Sequence, residues 1–248
     1  MGIFNFTRTV VSGVGRAVSA PGHRRLRRLG PLGAIGALSL VLSGCLSSGY
    51  TYLSHQSPDG TALYFKVPGT WTRFGSSSDV KATNGQLSIS QISQVLGTQI
   101  QGAQWYESFN ASPHAKPGLF INDLGSKYPE GIAFTAQLNP SLRDAFSLAG
   151  LRSEVLGTDP LAPAQNSPFN VLAYNEFTKK GGIRGSKLVT DINDGAGITV
   201  TYAQIVEVDP ATNYVSAIAV GCRASCWGPN QGTINQILNT WNVKELRP

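Results

Sequence analysis

The chain has 248 residues, with 20 Lys and Arg residues against 14 Asp and Glu residues and a formal net charge of +6 at pH 7. Six arginines and no acidic residue precede Cys45, so residues 45–248 hold 14 basic and 14 acidic residues and are formally neutral. The basic composition therefore gives no argument for nucleic acid or anionic lipid as a partner, and we expect no nucleic-acid partner.

The N-terminal segment has the parts of a bacterial lipoprotein signal peptide. Four arginines between positions 24 and 28 precede the apolar run Leu29–Leu42, and small residues follow in Leu42-Ser43-Gly44-Cys45. We predict a cleaved signal over 1–44, diacylglycerol on the sulfur of Cys45 with a further acyl chain such as palmitate on its amine, and a short tether over 45–49. The protein would then lie on the extracytoplasmic face of the cell membrane, held by its lipid anchor.

Two alternatives to the anchor are a transmembrane helix and an ordinary secretory signal in which Cys45 is only a small residue. The apolar run is shorter than the roughly 20 residues that span a bilayer, and it contains several glycines and a proline. Adjacent arginine pairs leave both the general secretory and the twin-arginine export routes open.

Residues 50–248 are long enough to form a single domain. The first element predicted is a β-hairpin from Tyr50–His55 and Thr61–Val67, joined by the turn Ser57-Pro58-Asp59-Gly60. The segment Leu87–Leu96 fits either a helix or an alternating strand, and both interpretations stay open.

A helix is predicted to begin at Asn139-Pro140, because a capping side chain precedes a proline at the first helical position. Its apolar stripe is Leu142, Ala145, Phe146 and Ala149.

Four strands in meander order follow this helix. Their apolar residues alternate and turn residues separate them. The predicted strands are Phe169–Thr178, Ile183–Ile192, Ile198–Val208 and Tyr214–Val220.

The C-terminal segment predicts an amphipathic helix that covers the meander. Pro229 and Asn230 lie at its expected start. Its apolar stripe is Ile234, Ile237, Leu238 and Trp241.

Between the meander and this helix lie the other two cysteines, Cys222 and Cys226. An exported protein meets oxidising conditions, so we predict a local disulfide that stabilises the corner between strand and helix. Zinc is the alternative, but a closed zinc site needs four ligands and the exported chain offers only His55 and His114 as nitrogen donors, far apart in sequence. We therefore expect no metal and no cofactor.

Two short motifs resemble the PsbP-like proteins. The first is Phe65-Lys66-Val67-Pro68-Gly69-Thr70-Trp71, and the second is Ile237-Leu238-Asn239-Thr240-Trp241-Asn242-Val243 in the C-terminal helix. With the meander before that helix, residues 50–244 are similar to an actinobacterial cell-envelope lipoprotein with a PsbP-like (Mog-type) domain.

The resemblance implies an α+β fold, an α/β/α sandwich whose central antiparallel sheet contains the meander and is covered by helices, including the C-terminal helix. It implies little about chemistry. Members range from an extrinsic photosystem II protein to a Ran-binding nuclear-transport factor and envelope lipoproteins, and several act by binding.

A search for catalytic motifs finds no Gly-x-Ser-x-Gly elbow, Walker loop, zincin motif or dinucleotide fingerprint. We expect His55 and His114 to be solvated loop histidines, although Asp59 lies near His55 in sequence. The acid pairs Asp191 with Asp194 and Asp123 with Glu130 flank turns, where carboxylates are usually solvated or capping groups. The aromatic residues Trp71, Trp105, Trp227 and Trp241 are expected to cover the edges of the core.

The sequence therefore predicts no catalytic residue and favours a non-enzymatic binding or adaptor module. Its expected partners are the membrane, through Cys45, and an envelope protein, lipid, glycolipid or glycan. The alternatives are an envelope hydrolase using His55, Asp59 or His114, and a purely structural envelope protein.

Overall fold

The computed structural model describes residues 49–58, 60–75, 103–115, 126–162, 167–193, 195 and 197–245. The predicted signal peptide, Cys45, Asp59, the segment 87–96, Asp123 and Asp194 lie outside the described residues. In chain order the elements are β1 (Tyr50–Gln56), β2 (Thr61–Pro68), β3 (Thr72–Gly75), β4 (Ala103–Asn110), β5 (Glu130–Gln137), α1 (Pro140–Ala145), α2 (Leu148–Ser153), β6 (Phe169–Thr178), β7 (Arg184–Asn193), β8 (Thr199–Val208), β9 (Tyr214–Arg223), α3 (Ala224–Thr240) and β10 (Asn242–Glu245).

The described strands form two antiparallel sheets. The larger sheet has seven strands in the order β3-β4-β5-β9-β8-β7-β6, and the smaller has three in the order β1-β2-β10. Strands β6 to β9 are neighbours in sequence and in space, so the predicted meander is confirmed. The predicted hairpin is confirmed as well, with Tyr50 opposite Pro68 and Gln56 opposite Ala62.

Each face of the large sheet has its own apolar core. On the first face, Tyr202 and Val206 of β8 pack with Leu151 of α2. On the second face, Ile205 packs with residues of the small sheet and of α3, among them Phe65. The helical cover that the α/β/α assignment implies is not confirmed in full, because the small sheet shares the cover of the second face with α3.

The helix predicted from Asn139-Pro140 is two short helices, so the prediction of one continuous helix was wrong. The amide of Arg143 donates to the carbonyl of Asn139, and α1 begins at Pro140 as expected. Ser147 then adopts extended backbone angles and its hydroxyl accepts a hydrogen bond from the amide of Gly150. This side chain caps a new helix and thereby ends the preceding one.

The C-terminal helix begins at Ala224, five residues before the predicted start at Pro229. Strand β9 runs directly into α3, and the side-chain amide of Asn230 donates to the carbonyl of Cys226 within the early helix. The predicted apolar stripe is confirmed, since Ile234, Ile237 and Leu238 are buried. No helix among the described residues is both long and apolar enough to cross a membrane.

Candidate functional site

The outer face of the small sheet exposes tyrosines. Side chains of a strand alternate between its two faces, so Leu53 of β1 lies on the core side while Tyr52 points outward. Tyr52 is 71% exposed and Tyr64 of β2 is 41% exposed. We call the outward residues Tyr50, Tyr52, Ser54, Tyr64 and Lys66 the tyrosine face.

Strand register sets the neighbours on this face. Tyr52 lies opposite Lys66, and Ser54 lies opposite Tyr64. The ammonium of Lys66 is 4.7 Å from the centre of the Tyr50 ring, within range of a cation–π interaction. The hydroxyl of Tyr50 donates to the side-chain oxygen of Gln236 on α3. The hairpin and the C-terminal helix therefore hold one border of the face together.

A groove opens where β10 stops covering the edge of β2. β10 pairs with Thr61 to Tyr64 only, and beyond it the amide of Lys66 donates to the Thr240 hydroxyl at 3.1 Å. The groove has a volume of about 260 Å³. This is just under the usual range for ligand pockets and suits a group of the size of one sugar or lipid headgroup. Its lining is Tyr52, Leu53, Ser54, Tyr64, Phe65, Lys66, Thr240 and Asn242.

His55 lies in β1, the first strand of the predicted hairpin, and is half-buried, so the expectation of a solvated loop histidine was wrong for this residue. Its ring stacks on Trp105 at a centroid distance of 4.8 Å and an interplanar angle of 8°. Its Nε2 atom is buried without a hydrogen-bond partner, and burial lowers the pKa of His55. The ring therefore packs between the two sheets, and its lowered pKa favours the neutral form. His114 does lie in an exposed turn, as expected.

Glu207 is a buried carboxylate that sequence reasoning missed. Both of its oxygens lie 2.7 Å from the ammonium of Lys179. Burial raises the pKa of Glu207, and the charge of Lys179 opposes that rise. Lys179 follows β6 while Glu207 lies in β8, so only the antiparallel register brings them together. The pair neutralises a charge inside the second core.

A second polar cluster joins α2 to the edge strand β6. The guanidinium of Arg152 donates to both carboxylate oxygens of Asp159, at 2.7 and 2.6 Å, and to the Tyr174 hydroxyl at 3.0 Å. Tyr174 in turn donates to Glu176. The hydrogen bond from Arg152 lowers the pKa of Asp159. With its donors and acceptors engaged with one another, the cluster stabilises the packing of α2.

Glu154, directly after α2, is a buried acid, and among the described residues no cation pairs with it. It is 5% exposed, and its Oε1 atom is buried without a hydrogen-bond partner. Burial raises the pKa of Glu154 to about 8. Burial therefore favours the protonated, neutral form of this side chain.

The acids that flank predicted turns make structural contacts where they are described. Asp191 accepts a hydrogen bond from the Thr201 hydroxyl at 2.7 Å, and Glu130 accepts one from the Asn110 side chain at 2.8 Å. Within the described residues, no group of three or more His, Cys, Asp or Glu side chains could hold a metal ion.

Cys222 and Cys226 occupy the predicted corner between strand and helix. Cys222 lies near the end of β9 and Cys226 in the first turn of α3. Their Cα atoms are 6.0 Å apart, in the range that disulfides span, and their sulfur atoms face each other. The pair is placed to form the predicted disulfide, whose formation stays a prediction.

Trp71, Trp105 and Trp227 lie at the border of the second core, as expected, whereas Trp241 is buried within that core. Trp71 packs on Phe109, and Trp241 packs on Phe65 with ring centroids 5.7 Å apart. Trp227 also contacts this core.

Sequence reasoning missed the tyrosine face. The alternation of side chains in β1 indicates it, because it places Tyr50 and Tyr52 on the side of the strand opposite Leu53.

No protein-family model matches the chain, and no curated protein matches its sequence. Among solved structures, it is similar to the cyanobacterial PsbP (CyanoP) of Synechocystis sp. PCC 6803, with 12% identity, a TM-score of 0.44 and coverage of 87% of this chain and 100% of that chain. It is also similar to LpqN, involved in cell envelope biogenesis of Mycobacterium tuberculosis, with 14% identity, a TM-score of 0.45 and coverage of 79% and 91%.

A third similar structure is the Ran-binding protein Mog1p of Saccharomyces cerevisiae, with 8% identity, a TM-score of 0.39 and coverage of 77% of this chain and 95% of that chain. PsbP and Mog1 proteins, which the sequence motifs resemble, are thus among these structures. The identities and TM-scores are too low to assign a family or an activity to this chain.

Proposed function

We propose that the protein is a membrane-anchored, extracytoplasmic lipoprotein that acts as a non-enzymatic binding module and uses the tyrosine face to bind a component of the cell envelope. The observation that carries the proposal is the groove beside Tyr52, Tyr64 and Lys66, a concave site bordered by exposed aromatic rings. Exposed tyrosines around a groove are typical of recognition surfaces, because the ring contributes apolar area and the hydroxyl bonds to polar groups.

The chemistry of the groove supports binding over catalysis. Its described lining offers phenol and aliphatic hydroxyls, a side-chain amide and one ammonium, and it includes no carboxylate, histidine or cysteine. Elsewhere in the described residues, Glu207 and Asp159 are engaged by Lys179 and Arg152, and His55 is stacked on Trp105. These groups stabilise packing, whereas the groove offers donors and rings to a ligand.

The position of the groove supports an anchored module. Strand β1 begins at Tyr50, five residues after Cys45. An extended chain spans about 3.3–3.6 Å per residue, so an acyl group on Cys45 would hold the tyrosine face within about 20 Å of the bilayer.

The PsbP-like assignment and the actinobacterial origin are part of the same proposal. The two motifs that carry the resemblance lie against each other, because Asn242 pairs with Tyr64 next to the first motif and Trp241 contacts Phe65. Motifs far apart in sequence that meet at one packing site support a shared fold.

The test is crosslinking with mass spectrometry on membranes of the native host. We expect a protein, lipid or glycan partner whose crosslinks are lost in Cys45→Ala and in the Tyr52→Ser/Tyr64→Ser double variant. Tyr128→Ser is the matched control, because Tyr128 is also exposed but lies in the loop before β5. Crosslinks that are the same in all these variants would contradict the proposal. Hydrolytic activity lost in a folded His55→Ala variant would instead favour the hydrolase.

A further inference from the structure

We infer that the occupant of the tyrosine face is an anionic phospholipid headgroup of the membrane in which the chain is anchored, with the groove taking the phosphate and polyol of one lipid. The inference rests on the proposed function, because it needs the acyl anchor on Cys45 to bring the face to the bilayer. It identifies the ligand class of the same site.

The local charge of this face differs from that of the whole domain. Residues 45–248 are formally neutral, yet the tyrosine face contains Lys66. Lys244 of β10 extends this face, because alternation places it on the same side of the strand as Asn242. Lys244 is exposed and lies opposite Ala62 in the register. The bordering helix α3 carries no charged residue. An acidic headgroup would therefore meet two ammonium groups and no described carboxylate on this face.

The aromatic residues suit the boundary between lipid headgroups and water. Tyrosine is enriched at membrane surfaces, because its ring packs against apolar chains while its hydroxyl stays hydrated. Tyr52 and Tyr64 present exposed rings, and the Lys66 ammonium sits over the ring of Tyr50. Rings and ammonium lie on one surface, so both can meet the headgroup layer together.

The chain enters the domain at this surface. Tyr50 is the first residue of β1, its ring belongs to the tyrosine face, and only the tether 45–49 separates it from the acyl group. About four extended residues cannot carry the domain far from the bilayer. The face beside the tether is then the part of the domain that the anchor brings nearest to the headgroups.

The groove provides partners for one headgroup. Lys66 supplies a charge for the phosphate, and Ser54, Tyr64 and Asn242 supply polar atoms for the hydroxyls of a glycerol or sugar. Its volume of about 260 Å³ suits one such group. A zwitterionic headgroup also offers a phosphate, but its own cation would lie near the ammonium groups of Lys66 and Lys244, and an anionic headgroup avoids this repulsion.

The experiment uses the full-length expressed and processed lipoprotein, reconstituted into vesicles of phosphatidylcholine with or without phosphatidylglycerol. Flotation with the vesicles tests the anchor, and hydroxyl-radical footprinting read by mass spectrometry tests the face. Tyr128 is the internal control, since it is 46% exposed, close to the 41% of Tyr64. We expect the labelling of Tyr52 and Tyr64 relative to Tyr128 to fall about threefold with phosphatidylglycerol, and not with phosphatidylcholine alone.

Two perturbations sharpen the result. High salt shortens the Debye length to about 3 Å at 1 M and is expected to restore the labelling. Lys66→Gln is expected to raise about fivefold the phosphatidylglycerol content needed for half of the protection, the effect on affinity of one lysine near an anionic surface, whereas Lys127→Gln beside Tyr128 leaves that content unchanged. An unchanged midpoint of thermal unfolding in both variants shows that neither substitution disturbs the fold.

The failures are distinguishable. Flotation with equal labelling in both vesicle types and in detergent overturns the inference and leaves the anchored module standing. If protection occurs in detergent and rises with protein concentration, the face binds a second copy of the chain. If protection requires host envelope extract, the face binds a protein or glycan. Both outcomes overturn the inference. A protein that does not float overturns the anchor and the inference with it.

Discussion

The two sheets differ in how many of their faces are covered. Strand β8 in the large sheet is buried at nearly every position, whereas β1 in the small sheet alternates between half-buried and exposed residues. A sheet that is covered on both faces must fill its space with closely packed side chains. In a sheet that is covered on one face only, packing does not restrict the side chains of the other face. The tyrosine face is the uncovered face of the small sheet. The closely packed strands of the large sheet therefore leave little room for change, whereas the small sheet carries the exposed face on which the proposed binding depends.

The largest effect that sharpens this comparison is expected from Glu154, buried in the cover of the large sheet. Burial raises the pKa of Glu154 from 4.5 to about 8, so between these values the folded state keeps a proton that the unfolded state has released. Stability should therefore fall as pH rises from 4.5 to 8, by on the order of 4 kcal/mol, and then level off. Urea unfolding of Glu154→Gln at a series of pH values should show this decrease removed.

Glu176→Gln is the comparison variant for that measurement, because Glu176 is exposed at the edge strand β6 and its removal weakens the polar cluster of Arg152 and Tyr174 without removing Glu154. It should lower the stability at every pH and keep the decrease between pH 4.5 and 8. Parallel curves for the wild type and Glu154→Gln would show that Glu154 is ionised and solvated in the folded state.

A smaller effect is expected from adding one methyl group inside the large sheet and one at the border of the small sheet. A Cβ atom on Gly131 of β5 would lie 2.5 Å from the backbone oxygen of Ala219 in β9, and this oxygen cannot rotate away. Gly131→Ala should cost about 3 kcal/mol of unfolding free energy. At Gly69, after β2 of the small sheet, the nearest atoms would be 3.6 Å away, so Gly69→Ala should cost less than about 0.5 kcal/mol.

Chemical denaturation of both glycine variants measures the two costs side by side. Equal costs would mean that the two sheets tolerate added volume alike, and the comparison between them would fail.

The smallest effect concerns the corner that links the large sheet to α3, the helix bordering the tyrosine face. For the short loop between Cys222 and Cys226, the loss of a disulfide should cost about 2 kcal/mol. The Cys222→Ser/Cys226→Ser double variant should then unfold at lower denaturant than the oxidised wild type and match the wild type in reductant. Mass spectrometry of unreduced peptides that finds two free thiols in exported protein would contradict the disulfide.

The strands were predictable because each carries its own signal. Alternation and turn residues place β1, β2 and β6 to β9 within a few residues of their observed limits. The helices were harder. The apolar spacing after Asn139 is continuous, and only the local competition of the Ser147 side chain for a backbone amide splits it into α1 and α2.

The candidate site could be predicted only in part. The outward position of Tyr52 follows from alternation, but the groove depends on β10 ending at the point where Thr240 takes over the edge of β2. The environment of His55 was wrongly predicted because the turn begins only two residues later at Ser57, while its stacking on Trp105 depends on the two sheets facing each other. Contacts between distant segments leave no local pattern in the chain.

By itself, the sequence determined the order of hairpin, meander and amphipathic C-terminal helix, because periodicity and turn chemistry act over a few neighbouring residues. It also contains the signal motif ending at Cys45, on which the proposed location depends. The tertiary structure alone decided which face of the small sheet stays open, how Lys179 meets Glu207, and that the Oε1 atom of Glu154 is buried without a hydrogen-bond partner. These features depend on register and packing between segments distant in the chain, where burial and charge act through space.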